Sequence, residues 1–264
     1  MDSIIIEDVV NNFSSNGQQM YNENKHILQR ELALKLEDIE GGEAHCSYCS
    51  KKFVIEINEN YTGNIFEEIF LHEFWHCVQV SQGFPTVEPK DNKDKDSLLI
   101  SNEISSAILD INIANTFRLY RIKETPDTMY KAKMGWIKKL SRNSVPAPFV
   151  DEYDKLSKQT ALHMINLVFS NIPKYQKEAV EKELYKYRQS LLFRYYKIVK
   201  TIIKRCDVNT PEGCLQIFTD IIKELQLTDK LTIITDALDG RTIIDKDCPH
   251  AKLIEDAYKF GLLT

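Results

Sequence analysis

Cysteine is sparse in this chain, six in 264 residues. That is too few for a disulfide scaffold, and reduced thiols are the default. No apolar run reaches the roughly 18 residues that a membrane-spanning helix needs. The N-terminal MDSIIIEDVVNNF lacks the positive charge and small-residue cleavage site of a secretory signal, and its apolar run is three isoleucines. The expectation is a cytoplasmic chain. Excess positive charge is missing too: 34 Lys and Arg stand against 39 Asp and Glu, a net charge of −5. No overall basic field draws in nucleic acid or an anionic membrane. Internal repeats, low-complexity tracts and a true linker are also lacking. What is present is 43% hydrophobic residues, enough for a sizeable core in one large domain or two small ones.

Apolar spacings of three and four dominate, so the chain reads as mainly helical. MYNENKHILQRELALKLEDIEGG reads as a helix closed by Gly41 and Gly42. HCSYCSKKFVIEINEN departs from this pattern. Phe53, Ile55 and Ile57 alternate with Val54, Glu56 and Asn58, the period of a half-buried strand. A second helix begins near Asn64, whose side chain can cap it with Glu67 three residues on, and stops at Gly83. PTVEPKDNKDKDS reads as a charged loop, after which Ser97 caps a long helix, SLLISNEISSAILDINIANTFRLYRI. From about residue 127 helix follows helix: TMYKAKMGWIKKL, DEYDKLSKQTALHMINLVFS, one long KYQKEAVEKELYKYRQSLLFRYYKIVKTIIKR, then PEGCLQIFTDIIKEL opening on Pro211 and PHAKLIEDAYKFG opening on Pro249 and ending at Gly261. The fold class expected is α+β and predominantly helical. Residues 1–125 hold the strand and second helix, and 126–264 form a helical half. The boundary is soft enough to leave one continuous domain open.

The second helix carries His72-Glu73-Phe74-Trp75-His76, an HExxH pattern. Histidines four apart on a helix project one turn apart from one face, so two imidazoles can grip one zinc ion. Phe66, Phe70, Phe74 and Cys77 form an apolar face, and Leu71, Trp75 and Val78 occupy the rest of the circumference. Such a helix reads as buried on most sides. Two imidazoles and a carboxylate are costly there without partners, which a metal supplies. Glu73 points about 100° away from His72, beside the ion rather than on it. There it can act as general base on the water that the ion activates. A short motif also arises by chance; the strand before this one and the Gly-Pro stop after it set it apart.

A catalytic zinc takes three protein ligands and keeps one position open. Gln82 stands where a metzincin carries its third histidine, which excludes that pattern. Glu103, on the next helix, is the choice for third ligand. Asp110, two turns further on the same face with Ser106 between, is placed to accept a hydrogen bond from a zinc-bound histidine. The competing reading makes Glu103 and Asp110 a solvated stripe. Glu88, between two prolines, is a rival ligand on an irregular segment.

HEFWH on one helix, Asn102-Glu103 on the next and FVIEIN before them resemble the gluzincin branch of zinc metallopeptidases, over roughly residues 50–120. The resemblance implies a zincin-like core: a short mixed sheet, an HExxH helix and a Glu-bearing helix. The strand before the motif helix would be the edge along which an extended peptide pairs. It also implies His72, His76 and Glu103 as zinc ligands, Glu73 as base and peptide hydrolysis as the reaction. Ala107 stands where the thermolysin-like pattern carries an aspartate, so the likeness is to the wider clan. A later Tyr or His often stabilises the oxyanion in these enzymes, and His163, Tyr195 and Tyr196 are the candidates. The other reading is a non-catalytic binding or regulatory protein that keeps the zincin fold and uses zinc structurally. Glu73 argues against it, since a structural site needs no base.

Cys46-Ser47-Tyr48-Cys49 has the spacing that offers two thiolates to one metal. A second, structural zinc held by Cys46, Cys49, Cys248 and His250 is one reading. A redox pair, or plain turn cysteines, are the others. Cys77 reads as a core residue. In LYKYRQSLLFRYYKIVKTIIKR aromatic and aliphatic residues recur at helical spacing with basic residues on the outer face, which a core face and a solvated face explain.

Overall fold

The computed structural model describes residues 4–39, 44–48, 52–123, 150–170, 172–186 and 188–235. They form two compact units: 4–83 with Leu119–Lys123, and Phe84–Arg118 with 150–235. The architecture is mixed α+β and mostly helical. No described helix is long and apolar enough to cross a membrane.

In the first unit, α1 (Ile6–Val10), α2 (Ser15–Asn24) and a 3-10 turn (Lys25–Ile27) lead into β1 (Glu31–Glu37), β2 (Ala44–Tyr48), β3 (Lys52–Asn58) and α3 (Gly63–Ser81). The strands make one mixed sheet in the order β1-β3-β2. β1 runs parallel to β3 with Leu34 opposite Ile55, and β2 runs antiparallel with Cys46 opposite Ile55. Two expectations are corrected. ELALKLE is strand rather than helix: Leu32, Leu34 and Leu36 alternate, and pairing with β3 outweighs the helix preference of Leu, Ala, Lys and Glu. FVIEIN is the central strand and not the edge. Phe53, Val54, Ile55 and Ile57 are all buried, on both faces, as a strand with neighbours on each side requires.

α3 packs on β2 and β3 and carries an aromatic ladder on its other side. Phe70 and Phe74 stack with ring centroids 6.4 Å apart. Phe13 meets Phe70 edge-on at 5.3 Å, and Tyr21 tilts against Phe74 at 5.0 Å. Each such buried side chain contributes roughly 1.5–3 kcal/mol, so α3 is held on both flanks. Asn64 does not cap α3. Thr62 occupies the cap position, and Glu67 reaches across instead to Ser14, accepting from its backbone N at 2.8 Å and its Oγ at 2.5 Å. Ser14 in turn caps α2 by accepting from the Gly17 N–H. α3 ends as its sequence foretells, with Gly83 at φ +80°, where glycine carries no Cβ penalty.

The second unit contains β4 (Thr86–Pro89), α4 (Lys95–Tyr120, through Arg118), α5 (Val150–Phe169), α6 (Lys174–Lys186), α7 (Leu191–Ile203), α8 (Pro211–Glu224) and β5 (Leu231–Ile234). Ile104 and Ile108 of α4, Leu162 and Ile165 of α5, and Ile217, Phe218 and Ile221 of α8 belong to one buried cluster. The charged loop contains a strand: β4 pairs antiparallel with β5, a partner far along the chain that local pattern does not reveal. Asp94 rather than Ser97 opens α4, its carboxylate accepting from the backbone N–H of Asp96 and Ser97. The single long helix is two, because Ser190 leaves helical geometry and accepts from the Phe193 N–H to begin α7. Pro211 stands at the start of α8 behind a Thr210 cap, as expected. The helices read at 128–140 and 249–261 lie outside the described residues.

Gly17 lies where a side chain has no room. A Cβ there would collide with Glu67 Oε1 and lie 3.2 Å from Leu71 Cδ1. An ordinary helical Gly→Ala change gains about 0.5–1 kcal/mol, whereas overpacking costs about 1–3 kcal/mol. Overpacking wins because Glu67 is committed to Ser14. Gly17→Ala therefore lowers stability in urea unfolding by about 1–2 kcal/mol, and unchanged or increased stability contradicts the packing described.

Candidate metal centre

The first unit supplies His72, Glu73, His76 and Gln79 from one stretch of α3. The i, i+4 spacing puts the imidazoles on one face, with Nε2 of His72 and Nε2 of His76 3.2 Å apart and ring planes at 77°. The Gln79 side chain, 1% exposed, sits one turn along with Oε1 3.0 Å from His76 Nδ1. An amide oxygen can only accept, so Nδ1 of His76 carries the proton and its Nε2 presents a lone pair. Two nitrogens about 2.0–2.1 Å from a tetrahedral zinc ion stand about 3.3 Å from each other. The pair therefore fits zinc by donor type and by spacing, and His76 also by tautomer. Glu73 is half-buried on the flank facing β2, where the bond to Glu56 raises the His45 pKa and burial that of Cys77, with the Glu73 charge a smaller contribution to each. Glu73 is thus offset from the histidines, as the helical turn dictates.

The β2 flank is a charged mesh. Glu56 on β3 lies between His45 Nε2 at 2.5 Å and Lys35 Nζ at 2.6 Å. The bond to His45 and then that to Lys35 hold the Glu56 carboxyl down to about 2 against its burial. The same bond to Glu56 raises the His45 pKa. Cys46 Sγ lies 3.1 Å from Cys77 Sγ, and the Cys77 thiol donates to the Glu73 carbonyl at 3.4 Å. Burial pushes the Cys77 thiol well up. Both cysteines are free. Cys46 thus meets a cysteine of α3. Cys49, Cys248 and His250, the other members of the expected second zinc site, lie outside the described residues.

The second unit holds the two acidic candidates on α4. Glu103 Oε2 lies 3.2 Å from His163 Nδ1 of α5. Asp110 Oδ2 accepts from Ser106 Oγ at 3.0 Å and from Asn166 Nδ2 at 2.7 Å. Two α5 residues three apart, His163 and Asn166, thereby orient two α4 carboxylates two turns apart, which matches the side-chain rows of facing helices. His163 is engaged with Glu103. Tyr195 donates to Asp154, and its hydroxyl is raised to about 12, by burial first and then by that bond. Tyr196, 3% exposed, donates to Glu181 at 2.7 Å. Glu88 sits in β4, where its backbone pairs with Thr232. Gln79 and Asn166 are the participants that the sequence reading missed. Their signal was spacing, each three residues after a candidate histidine, and amides carry no charge to draw notice.

No family model, no curated protein and no solved structure matches the chain. The functional reading therefore rests on the chain's own residues.

The His45–Glu56 pair makes stability depend on pH. The His45 pKa is raised above its ordinary 6.5, so its contribution is fully present below pH 6.5 and lost as pH rises through the folded value. His45 is 46% exposed and Glu56 16%, so solvent screening keeps the effect to about 0.5–1 kcal/mol. In urea unfolding, the advantage of wild type over Glu56→Gln shrinks by that amount between about pH 6 and pH 8. An advantage that grows over this range contradicts the pairing.

Proposed function

We propose that the chain is a zinc-dependent peptidase that hydrolyses peptide bonds in a peptide or protein substrate. The observation that carries this reading is the convergence of His72 Nε2 and His76 Nε2 at 3.2 Å on a largely buried helix, with Gln79 fixing the tautomer of one ring. His72 and His76 are the proposed ligands. A carboxylate is the expected third donor, for which Glu103, which meets His163, and Asp110, which is held by Ser106 and Asn166, are the candidates. Zinc bound there supplies Lewis-acid polarisation of a water and of the peptide carbonyl.

Glu73 does the proton work. Its carboxylate takes a proton from the attacking water and delivers it to the leaving amine nitrogen as the peptide bond breaks. A half-buried carboxylate beside two ligands, and not among them, suits that task, because a metal-bound oxygen acceptor could not also shuttle protons. Gln79 keeps the His76 ring oriented, as partners of ligating histidines do.

Purified protein is expected to hold about one zinc ion per chain, and His72→Ala to lose it. Glu73→Gln keeps the ion while hydrolysis of a peptide library falls about 10²–10⁴-fold. A Glu73→Gln protein as active as wild type sinks the catalytic assignment, and full zinc retention with no hydrolysis in wild type leaves only the structural role. Gln79→Leu weakens zinc binding about 10–100-fold in competition with a chelator; unaltered affinity removes Gln79 from the site. Glu103→Ala and Asp110→Ala, titrated separately with zinc, test each carboxylate for a part in binding.

A further inference from the structure

The outer faces of α7 and α8 enclose a groove of about 880 Å³ whose two sides carry opposite charge. Arg188, Arg194, Lys197 and Arg205 line it from α7 and its two ends, and Asp220 and Glu224 from α8. Arg194, Lys197 and Arg205 recur at i, i+3 and i+11, a single stripe about 16 Å long. Asp220 and Glu224, at i and i+4, stand one turn apart. Among the described residues, none of the four cations forms an ion pair, with these acids or with any other. Each wall thus keeps like charges side by side, an arrangement that is repulsive until something complementary lies between.

Two of the cations are braced. Arg188 lies over the Tyr185 ring at 5.6 Å and Lys197 over Phe193 at 5.7 Å, while those two rings pack edge to face at 6.0 Å. Bracing reduces the entropy lost when the cations engage a ligand. The basic and aromatic pattern of this stretch therefore has an outer face that is organised as well as solvated.

We propose that this groove binds a polypeptide segment that sets carboxylates against α7 and a lysine or arginine against α8. The acidic wall decides against nucleic acid or another polyphosphate. Asp220 and Glu224 lie within about one Debye length, 8–10 Å, of the space such a ligand occupies, and a ligand of uniformly negative charge meets repulsion along one whole side. The length of the stripe decides against a single small anion. Only a chain with both signs of charge satisfies both walls, and it does so by electrostatic complementarity, which sets specificity and on-rate. The proposal is independent of the zinc reading and stands or falls without it.

The test uses the full chain and fluorescence anisotropy. Three labelled probes of equal length are compared: a peptide of glutamate pairs alternating with single lysines, a glutamate-only peptide, and an oligothymidylate. The mixed peptide is expected to bind saturably and tightest, and to be released when salt rises from about 0.05 to about 0.5 M. Arg194→Glu with Arg205→Glu weakens it at least about tenfold; both side chains are exposed, and circular dichroism checks the fold. Asp220→Lys with Glu224→Lys weakens the mixed peptide but strengthens the glutamate-only peptide, an inversion that mere structural damage does not produce. The proposal is overturned if no peptide binds saturably, if binding survives high salt, if the α7 reversals leave it unchanged, or if oligothymidylate binds tighter than the mixed peptide.

Discussion

Two imidazole nitrogens 3.2 Å apart on a helix rich in Phe, Leu, Val and Trp are the constraint around which the first unit is arranged. Both imidazoles are half-buried, and Gln79 partners Nδ1 of His76. The backbone that carries the pair is held on both flanks. The ladder of Phe70 and Phe74 against Phe13 and Tyr21 grips one flank of α3, and β2 and β3 the other. The Glu67 bridge to Ser14 ties the start of α3 to α2. A lone pair on His76 and an imidazole facing it are what an ion of zinc's size and donor preference requires.

The same helix separates roles by angle. His72 and His76 share one face, and Glu73 and Cys77 share the next, toward β2. A carboxylate on the ligand face would bind the ion. In the proposed site Glu73, one position along, would stay off the metal and handle protons instead. In the second unit, His163 with Glu103 and Asn166 with Asp110 repeat a simple device: a short polar side chain on α5 fixes an acidic one on α4.

Legibility in the sequence followed the range of the forces. α3 and its Gly83 stop, α5, and α8 with Pro211 were readable because periodicity, caps and breakers act within a few residues. β1 was not, because Leu, Ala, Lys and Glu favour helix until β3 offers a partner. β4 was hidden in a charged loop because its partner β5 lies near residue 231. The central place of FVIEIN depended on finding both neighbours, and missing β1 made it an edge. At the site, the HExxH residues were visible as types at a spacing. Gln79 and Asn166 were not, since what they do depends on which ring or carboxylate lies opposite.

Whether His72 and His76 together grip a zinc ion is read most directly by zinc-edge X-ray absorption on the zinc-loaded protein, which counts nitrogen, oxygen and sulfur neighbours and their distances. Two ligating histidines give imidazole scattering from two rings, with nitrogen and oxygen at about 2.0–2.1 Å and no sulfur shell near about 2.3 Å. A spectrum dominated by sulfur, or one without imidazole scattering, contradicts this coordination.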